Sequence, residues 1–176
     1  MKEIYLLRHG EKDTAGLLTE QGKRAATLLR PILPRFARVF SSDTARTILT
    51  AQLLTGCEPV LDNRAAYATT SAKISDEIST LAAERDTSFL DAARLHNDLA
   101  VLAGINDQAR MLNTMVDELL TELPENERAL VISHDLTIAP AMGLRGMPAE
   151  SIAPLSGYII SMADGATEVR RYQQAS

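Results

Sequence analysis

Tryptophan is absent from this sequence, and aromatic residues make up only 4% of it. The chain therefore lacks the stacking surface typical of proteins that bind single-stranded nucleic acids. Its net charge of -5 points the same way, because nucleic-acid binding relies on a positive surface. The composition predicts that nucleic acid is not a partner, while leaving room for a local positive pocket.

Cysteine and long hydrophobic runs are also scarce. The single cysteine, Cys57, excludes an intrachain disulfide and any multi-cysteine metal site, which fits a reducing compartment. We expect Cys57 to be a small buried apolar residue. No stretch approaches the ~20 apolar residues of a membrane span, and charged residues from Arg8 onwards interrupt the N-terminal apolar run that a signal peptide needs. These features predict a cytoplasmic protein without a membrane partner.

The sequence does contain enough apolar material for one core. Its 176 residues, 45% of them hydrophobic, suit a single globular domain over residues 1–176. It shows no internal repeat, linker or low-complexity stretch. One domain therefore accounts for the whole chain.

The first apolar run ends in a polar triplet. Residues 4–7 predict a buried strand, and Arg8-His9-Gly10 follows it directly. The carboxyl ends of parallel strands are where open α/β sheets bind ligands. Imidazole can act as a nucleophile near neutral pH, and arginine matches phosphate in a bidentate fork. The triplet therefore indicates phosphoryl transfer to His9.

A second strand tip repeats this arrangement near the C-terminus. Residues 129–132 predict the clearest buried strand, which ends in Ser133-His134-Asp135. A helix over about 136–144 is expected next, and Asp135 is well placed to cap it. Two predicted strand tips thus each carry a histidine.

An arginine at a predicted helix start is a third candidate for the site. Asp43 or Thr44 is expected to cap a helix that runs to about residue 54, which puts Arg46 in its first turn. A cation there is unfavourable for the helix dipole. If Arg46 faces the strand tips, however, its charge and the free amides of the helix start converge on one anion.

Periodicity and capping residues predict the other elements. They are a helix from Glu20 to about Leu33 with Thr19 as N-cap, a strand at 38–42, an edge strand at 59–61, several short helices within 62–106, a helix at 107–123 capped by Asp107, and a hairpin of strands 156–162 and 166–172 around Asp164-Gly165. The acids of the middle segment are expected on solvated faces, and His96 is expected to be structural.

Four motifs together carry a family resemblance. In chain order they are Leu7-Arg8-His9-Gly10-Glu11, Leu18-Thr19-Glu20-Gln21-Gly22, Ser41-Ser42-Asp43-Thr44-Ala45-Arg46-Thr47 and Ser133-His134-Asp135. The chain resembles the histidine phosphatase superfamily, which includes cofactor-dependent phosphoglycerate mutases. The resemblance implies a three-layer α/β/α fold with a mostly parallel sheet.

The resemblance also implies roles for the motif residues. His9 is the expected nucleophile that becomes phosphohistidine, Arg8 and Arg46 are expected to clamp the phosphoryl oxygens, and His134 is expected to donate to one of them. Fixed donors and cations can stabilise the charge of the transferring group, so neither a metal nor another cofactor is expected.

The sequence departs from the mutase-like branch at the proton donor. That branch commonly has a glutamate after the third strand, where this chain has Tyr67 in Arg64-Ala65-Ala66-Tyr67. Because leaving-group protonation is worth about 10²- to 10⁴-fold, another acid is expected for a poor leaving group. Asp135 is one candidate, by similarity to the acid-phosphatase branch, and Asp76 and Glu77 are others. No acid is required if the substrate is a labile phosphoramidate.

The resulting expectation is a phosphatase that acts on a phosphomonoester or a phosphoramidate. Its partner would be a phosphorylated small molecule or a phosphohistidine protein. A mutase is the alternative enzyme, and a non-catalytic phosphate- or partner-binding module is the alternative of another class.

Overall fold

The computed structural model describes residues 1–67, 72–96 and 98–173. Within them, strands form one sheet in the order β3-β2-β4-β1-β5-β6. The strands are β1 (Lys2–Arg8), β2 (Arg38–Ser41), β3 (Val60–Leu61), β4 (Arg128–Ser133), β5 (Gly157–Ala163) and β6 (Ala166–Tyr172). The helices are α1 (Glu20–Leu29), α2 (Ala45–Thr55), α3 (Ala72–Glu84), α4 (Phe89–His96), α5 (Leu99–Glu122) and α6 (Asp135–Gly143), with a 3-10 turn at Asn63–Ala65.

The sheet is mostly parallel, which confirms the predicted fold class. β4 pairs in parallel with both β1 and β2, and β3 pairs in parallel with β2 at the edge. β5 runs antiparallel to β1, and β6 runs antiparallel to β5. β1 and β4 therefore lie side by side in the middle of the sheet, with their carboxyl ends at the same edge.

Alternation along β1 explains the three layers, because successive side chains of a strand point to opposite faces. Ile4 and Leu6 pack in a core with α5 and α6. Tyr5 and Leu7 pack in a second core with α1 and α2. The continuous apolar run of β1, residues 4–7, is thus covered by helices on both faces.

Capping and turn residues correctly predicted the start of α1 and the hairpin between β5 and β6, but not the end of α1. Thr19 is the N-cap of α1 and accepts from the Gly22 amide. Asp164 and Gly165 form the two-residue hairpin loop, both with positive φ, as a type I′ turn requires. α1 ends at Leu29 rather than near residue 33, since Pro31 has no N–H with which to continue it.

The predicted start of the longest helix was wrong. α5 begins at Leu99, and the carboxylate of Asp98 accepts from the amides of Ala100 and Val101 as its N-cap. Asp107 lies inside this helix and pairs with Arg110. The buried residues Val101, Ile105, Ala109 and Leu112 continue with helical spacing through the predicted cap.

Cys57 was also predicted wrongly, since it is exposed. It lies in the turn between α2 and β3, just after the left-handed Gly56 that ends the helix. Among the described residues, no helix combines the length and apolar character that crossing a membrane requires.

Candidate active site

The strand tips meet at one pocket of about 510 Å³. Register brings them together, because Arg8 pairs with Ser133 and the two histidines follow directly. The pocket lining includes five residues that the sequence singled out, namely Arg8, His9, Arg46, His134 and Asp135. The histidine rings lie edge to face, with their centroids 5.3 Å apart.

His9 is almost fully buried and held in one tautomer. Its Nδ1 lies 2.7 Å from the carbonyl oxygen of Gly10, which can only accept, so Nδ1 carries the proton. Its Nε2 faces the pocket and accepts from Nε of Arg46 at 3.2 Å. Burial is the main cause that lowers the pKa of His9 to about 4. At neutral pH His9 therefore presents an uncharged nitrogen lone pair to the pocket.

His134 is held in the opposite tautomer. A guanidinium nitrogen of Arg46 lies 3.2 Å from its Nδ1 and can only donate, so the proton is on Nε2. That Nε2 lies 2.9 Å from the hydroxyl of Ser42, which is 2.8 Å from the hydroxyl of Thr47. Burial lowers the pKa of His134 far below its ordinary value, with the charge of Arg46 as the next cause. Its Nδ1 thus faces the pocket as an acceptor in this state.

Arg46 joins the two histidines, as its position in the first turn of α2 allows. Besides these contacts it donates toward the carbonyl of Gly16 at 3.5 Å, and it lies 5.7 Å from the ring centre of Tyr67. Thr50, one turn further along α2, accepts from the Gly10 amide at 3.1 Å. α2 is therefore fixed to the tip of β1, and its arginine points at the histidines rather than at solvent.

Arg8 and Asp135 face each other at the side of the pocket. A guanidinium nitrogen of Arg8 lies 3.8 Å from a carboxylate oxygen of Asp135 and donates to the carbonyl of Ile152. Nε of Arg8 is buried, and no described residue accepts its proton. A buried donor without a partner is costly, so this nitrogen is suited to an anion that enters the pocket.

Asp135 does not cap α6, contrary to the prediction. The helix begins at Asp135 itself, with His134 as the N-cap residue. The carboxylate turns away and accepts from the Ile152 amide at 2.8 Å and the Ser151 hydroxyl at 2.7 Å. These two hydrogen bonds hold the loop before β5 against the site.

Sequence reasoning missed part of the lining. The additional residues are Lys12, Thr14, Ser79, Phe89 and Leu136. Ser79 and Phe89 come from α3 and α4, so helices of the segment that was hardest to interpret from the sequence contribute to the pocket lining. Tyr67, noted at the position of the family glutamate, lines the pocket with its ring 5.0 Å from that of His134.

The other candidate acids lie elsewhere. Asp76 and Glu77 border a separate hollow that also contains His96, and neither lines the pocket of His9. Nε2 of His96 lies 3.1 Å from Glu77, so His96 joins α4 to α3. α3 does reach the pocket, but through Ser79.

Comparison with known proteins identifies the class to which this fold and site belong. The family model of the histidine phosphatase superfamily (branch 1) matches residues 4–174. The chain belongs to this superfamily. No curated protein matches it in sequence.

Solved structures share the fold over the full length of the chain. YhfR of Bacillus stearothermophilus aligns with a TM-score of 0.72 at 21% identity and covers 100% of this chain and 98% of its own. The mycobacterial glucosyl-3-phosphoglycerate phosphatase aligns at 0.69 and 18% identity, covering 99% and 100%. A phosphoserine phosphatase variant from Entamoeba histolytica, in complex with phosphoserine, aligns at 0.67 and 17% identity, covering 98% and 96%. These similarities confirm the phosphoglycerate mutase-like fold.

Proposed function

We propose that this protein is a phosphatase that hydrolyses a phosphomonoester or a phosphoramidate through a phosphohistidine on His9. The observation that carries the proposal is the uncharged, unprotonated Nε2 of His9, which accepts from Arg46 and faces a pocket lined by two arginines and a second histidine. An anion site alone does not require a nucleophilic nitrogen there. Membership of the superfamily and the phosphatases among its structural relatives support a phosphatase-type enzyme.

In the first step Nε2 of His9 attacks phosphorus, and the bond to the leaving oxygen or nitrogen breaks. Arg8 and Arg46 donate to the phosphoryl oxygens, whose charge is spread over the equatorial positions in the transition state. Water then attacks the phosphohistidine, the phosphorus–nitrogen bond breaks, and inorganic phosphate leaves. A proton of this water replaces the one that an acid gave to the leaving group, and His9 returns to its neutral tautomer, so the cycle closes.

His134 changes its protonation state in this proposal. Its Nδ1 accepts from Arg46 in the free protein, but a phosphoryl oxygen in the same place can only accept. To donate to it, the ring needs a proton on Nδ1, which it gains by taking up a second proton or by shifting its proton from Nε2 while the Ser42 hydroxyl donates to Nε2. The negative charge of the ligand favours uptake of the second proton. His134 then binds the phosphoryl group as a cation.

The most direct test of the proposed activity is to measure turnover by the purified protein without added metal. The substrates are p-nitrophenyl phosphate, an alkyl phosphate and a phosphohistidine protein, and rapid quenching measures protein-bound phosphate. We expect turnover with at least one substrate, together with an acid-labile, base-stable phosphate on the protein. A non-catalytic binding module would show neither, and a mutase would transfer phosphate between positions of an acceptor rather than release it.

Asp135 is the proposed proton donor for substrates with poor leaving groups. It is the one carboxylate that lines the pocket within the described part of the chain. We expect Asp135→Asn to slow hydrolysis of an alkyl phosphate by about 10²-fold or more, and that of p-nitrophenyl phosphate by much less, since p-nitrophenolate leaves without a proton. Initial rates on both substrates measure the difference.

Asp76→Asn provides the control, because Asp76 is an exposed carboxylate outside this pocket. It should change neither rate. If Asp135→Asn slows both substrates equally, the carboxylate acts instead by holding Arg8 and the loop at residues 151–152.

A further inference from the structure

A third cation lies at the rim of the pocket and has no role in the proposed reaction. Lys12 lines the pocket with His9 and Arg46, although its residue type and position carried no signal in the sequence. It lies in the loop after β1, and its side chain is more exposed than those of the other two cations, Arg8 and Arg46. Neither the proposed attack by His9 nor the clamp of the two arginines requires it.

The loop that carries Lys12 is well anchored. Lys12 forms a β-bridge with Leu18, and the amide of Asp13 donates to the carbonyl of Leu17 at 2.8 Å. At the base of the loop the Thr19 amide donates to the carbonyl of Glu11 at 3.0 Å. The start of α1 closes over that base, where a Cβ on Gly22 would meet the oxygen of Glu11 at 2.4 Å. The backbone of Lys12 is therefore held at the rim.

Lys12 forms no salt bridge with a carboxylate in the described part of the chain. None of the ion pairs among the described residues includes it, and it faces two like charges instead. Burial lowers the pKa of Lys12, the charges of Arg46 and Arg8 lower it further, and only the adjacent Asp13 acts in the other direction. Holding cations together in this way is unfavourable without an anion, so the anion is expected to arrive with the ligand.

The phosphoryl group alone does not use all of this charge. An ionised Asp135 offsets Arg8, and a protonated Asp135, as the proposed proton donor, leaves Arg8 as additional positive charge. Arg46 and a protonated His134 then match the two negative charges of a phosphoryl dianion. Lys12 is left over, and its exposed side chain lines the pocket beside these groups.

We infer that Lys12 binds a second anionic group of the substrate, a carboxylate or a second phosphate close to the transferred phosphoryl group. The inference rests on the proposed function and narrows its substrate class to phosphomonoesters that carry a further negative charge. An ammonium on a flexible stem suits this task, since it acts as a point charge for either oxyanion.

Three ligands with the same three-carbon chain test this inference: propyl phosphate, 3-(phosphonooxy)propanoate and propane-1,3-diyl bisphosphate. Their affinities are measured by calorimetry on His9→Ala protein, which cannot turn them over. We expect the carboxylate or the bisphosphate, or both, to bind about 10-fold more tightly than propyl phosphate, as a charged hydrogen bond provides. Adding Lys12→Gln should reduce this preference to less than about 2-fold, whereas Lys12→Arg should retain most of it.

Lys73→Gln is the matched control, because Lys73 lies on α3 outside the pocket with 85% of its side chain exposed. It should leave all three affinities unchanged. Equal affinities for the three ligands, an equal loss for all three in Lys12→Gln, or no binding of any of them would overturn the inference. Turnover of the same compounds by the unmodified protein tests the proposed function separately, so binding preference without turnover would refute the phosphatase and leave the anion site standing.

Discussion

His9→Ala is expected to lower kcat by at least about 10⁴-fold, because the variant has no atom that can accept the phosphoryl group. The neighbouring arginines and His134 would still bind phosphate, so the loss should appear in kcat more than in ligand affinity. The fold should persist, since His9 lies at a strand tip and its loss removes only two side-chain hydrogen bonds among the described residues, one to the Gly10 carbonyl and one from Arg46. Initial rates and a thermal denaturation curve measure the two effects.

His96→Ala is the matched control for this variant. It removes an imidazole that contacts Glu77 and lies outside the pocket. We expect it to retain most of the activity. Substantial activity in His9→Ala would refute the assignment of the nucleophile. An equal loss of activity in both variants would mean that removing either histidine lowers activity by destabilising the protein.

Gly157→Ala is expected to reduce the free energy of unfolding by about 3 kcal/mol, at the upper end of the usual cost of overpacking. Gly157 pairs with Leu7 across β5 and β1. A Cβ there would lie 2.0 Å from the oxygen of Leu6 and 3.0 Å from the Cα of Leu7. Both are backbone atoms of the strand that ends in the site, so they cannot move aside without breaking the pairing.

Gly104→Ala provides the opposite case in the same chain. Gly104 lies within α5, and a Cβ there would meet no atom within 4 Å. We expect this variant to be more stable by up to about 1 kcal/mol, the usual difference in helix propensity. Chemical denaturation of both variants measures the contrast, and similar midpoints for the two would contradict the close contact at Gly157.

The sequence predicted the parts of the site that depend on local pattern. Apolar runs that end in His9 and His134 place both residues at strand tips, and parallel pairing then brings them together. The position of Arg46 follows from helix capping in the same way. Each of these residues needs only the order of the elements and the rule that ligands bind at the carboxyl ends of strands.

Other features depend on contacts between segments distant in sequence. Asp135 has the residue type and position of a helix cap, but the amide of Ile152 and the hydroxyl of Ser151 compete for its carboxylate. Phe89 lines the pocket only because α4 packs against α6, the helix that begins at the site. Lys12 is a loop lysine like many others until the β-bridge with Leu18 is known. No periodicity or capping rule identifies such residues.

The hydrogen bond from His9 to Gly10 also fixes the regiochemistry of the proposed intermediate. Nδ1 is 2.7 Å from a carbonyl oxygen and carries a proton, so it has no lone pair for phosphorus. The phosphoryl group that His9 carries in the proposed reaction is therefore on Nε2 alone. The two nitrogen isomers of phosphohistidine differ in their NMR spectra, and this backbone contact selects one of them before any substrate arrives.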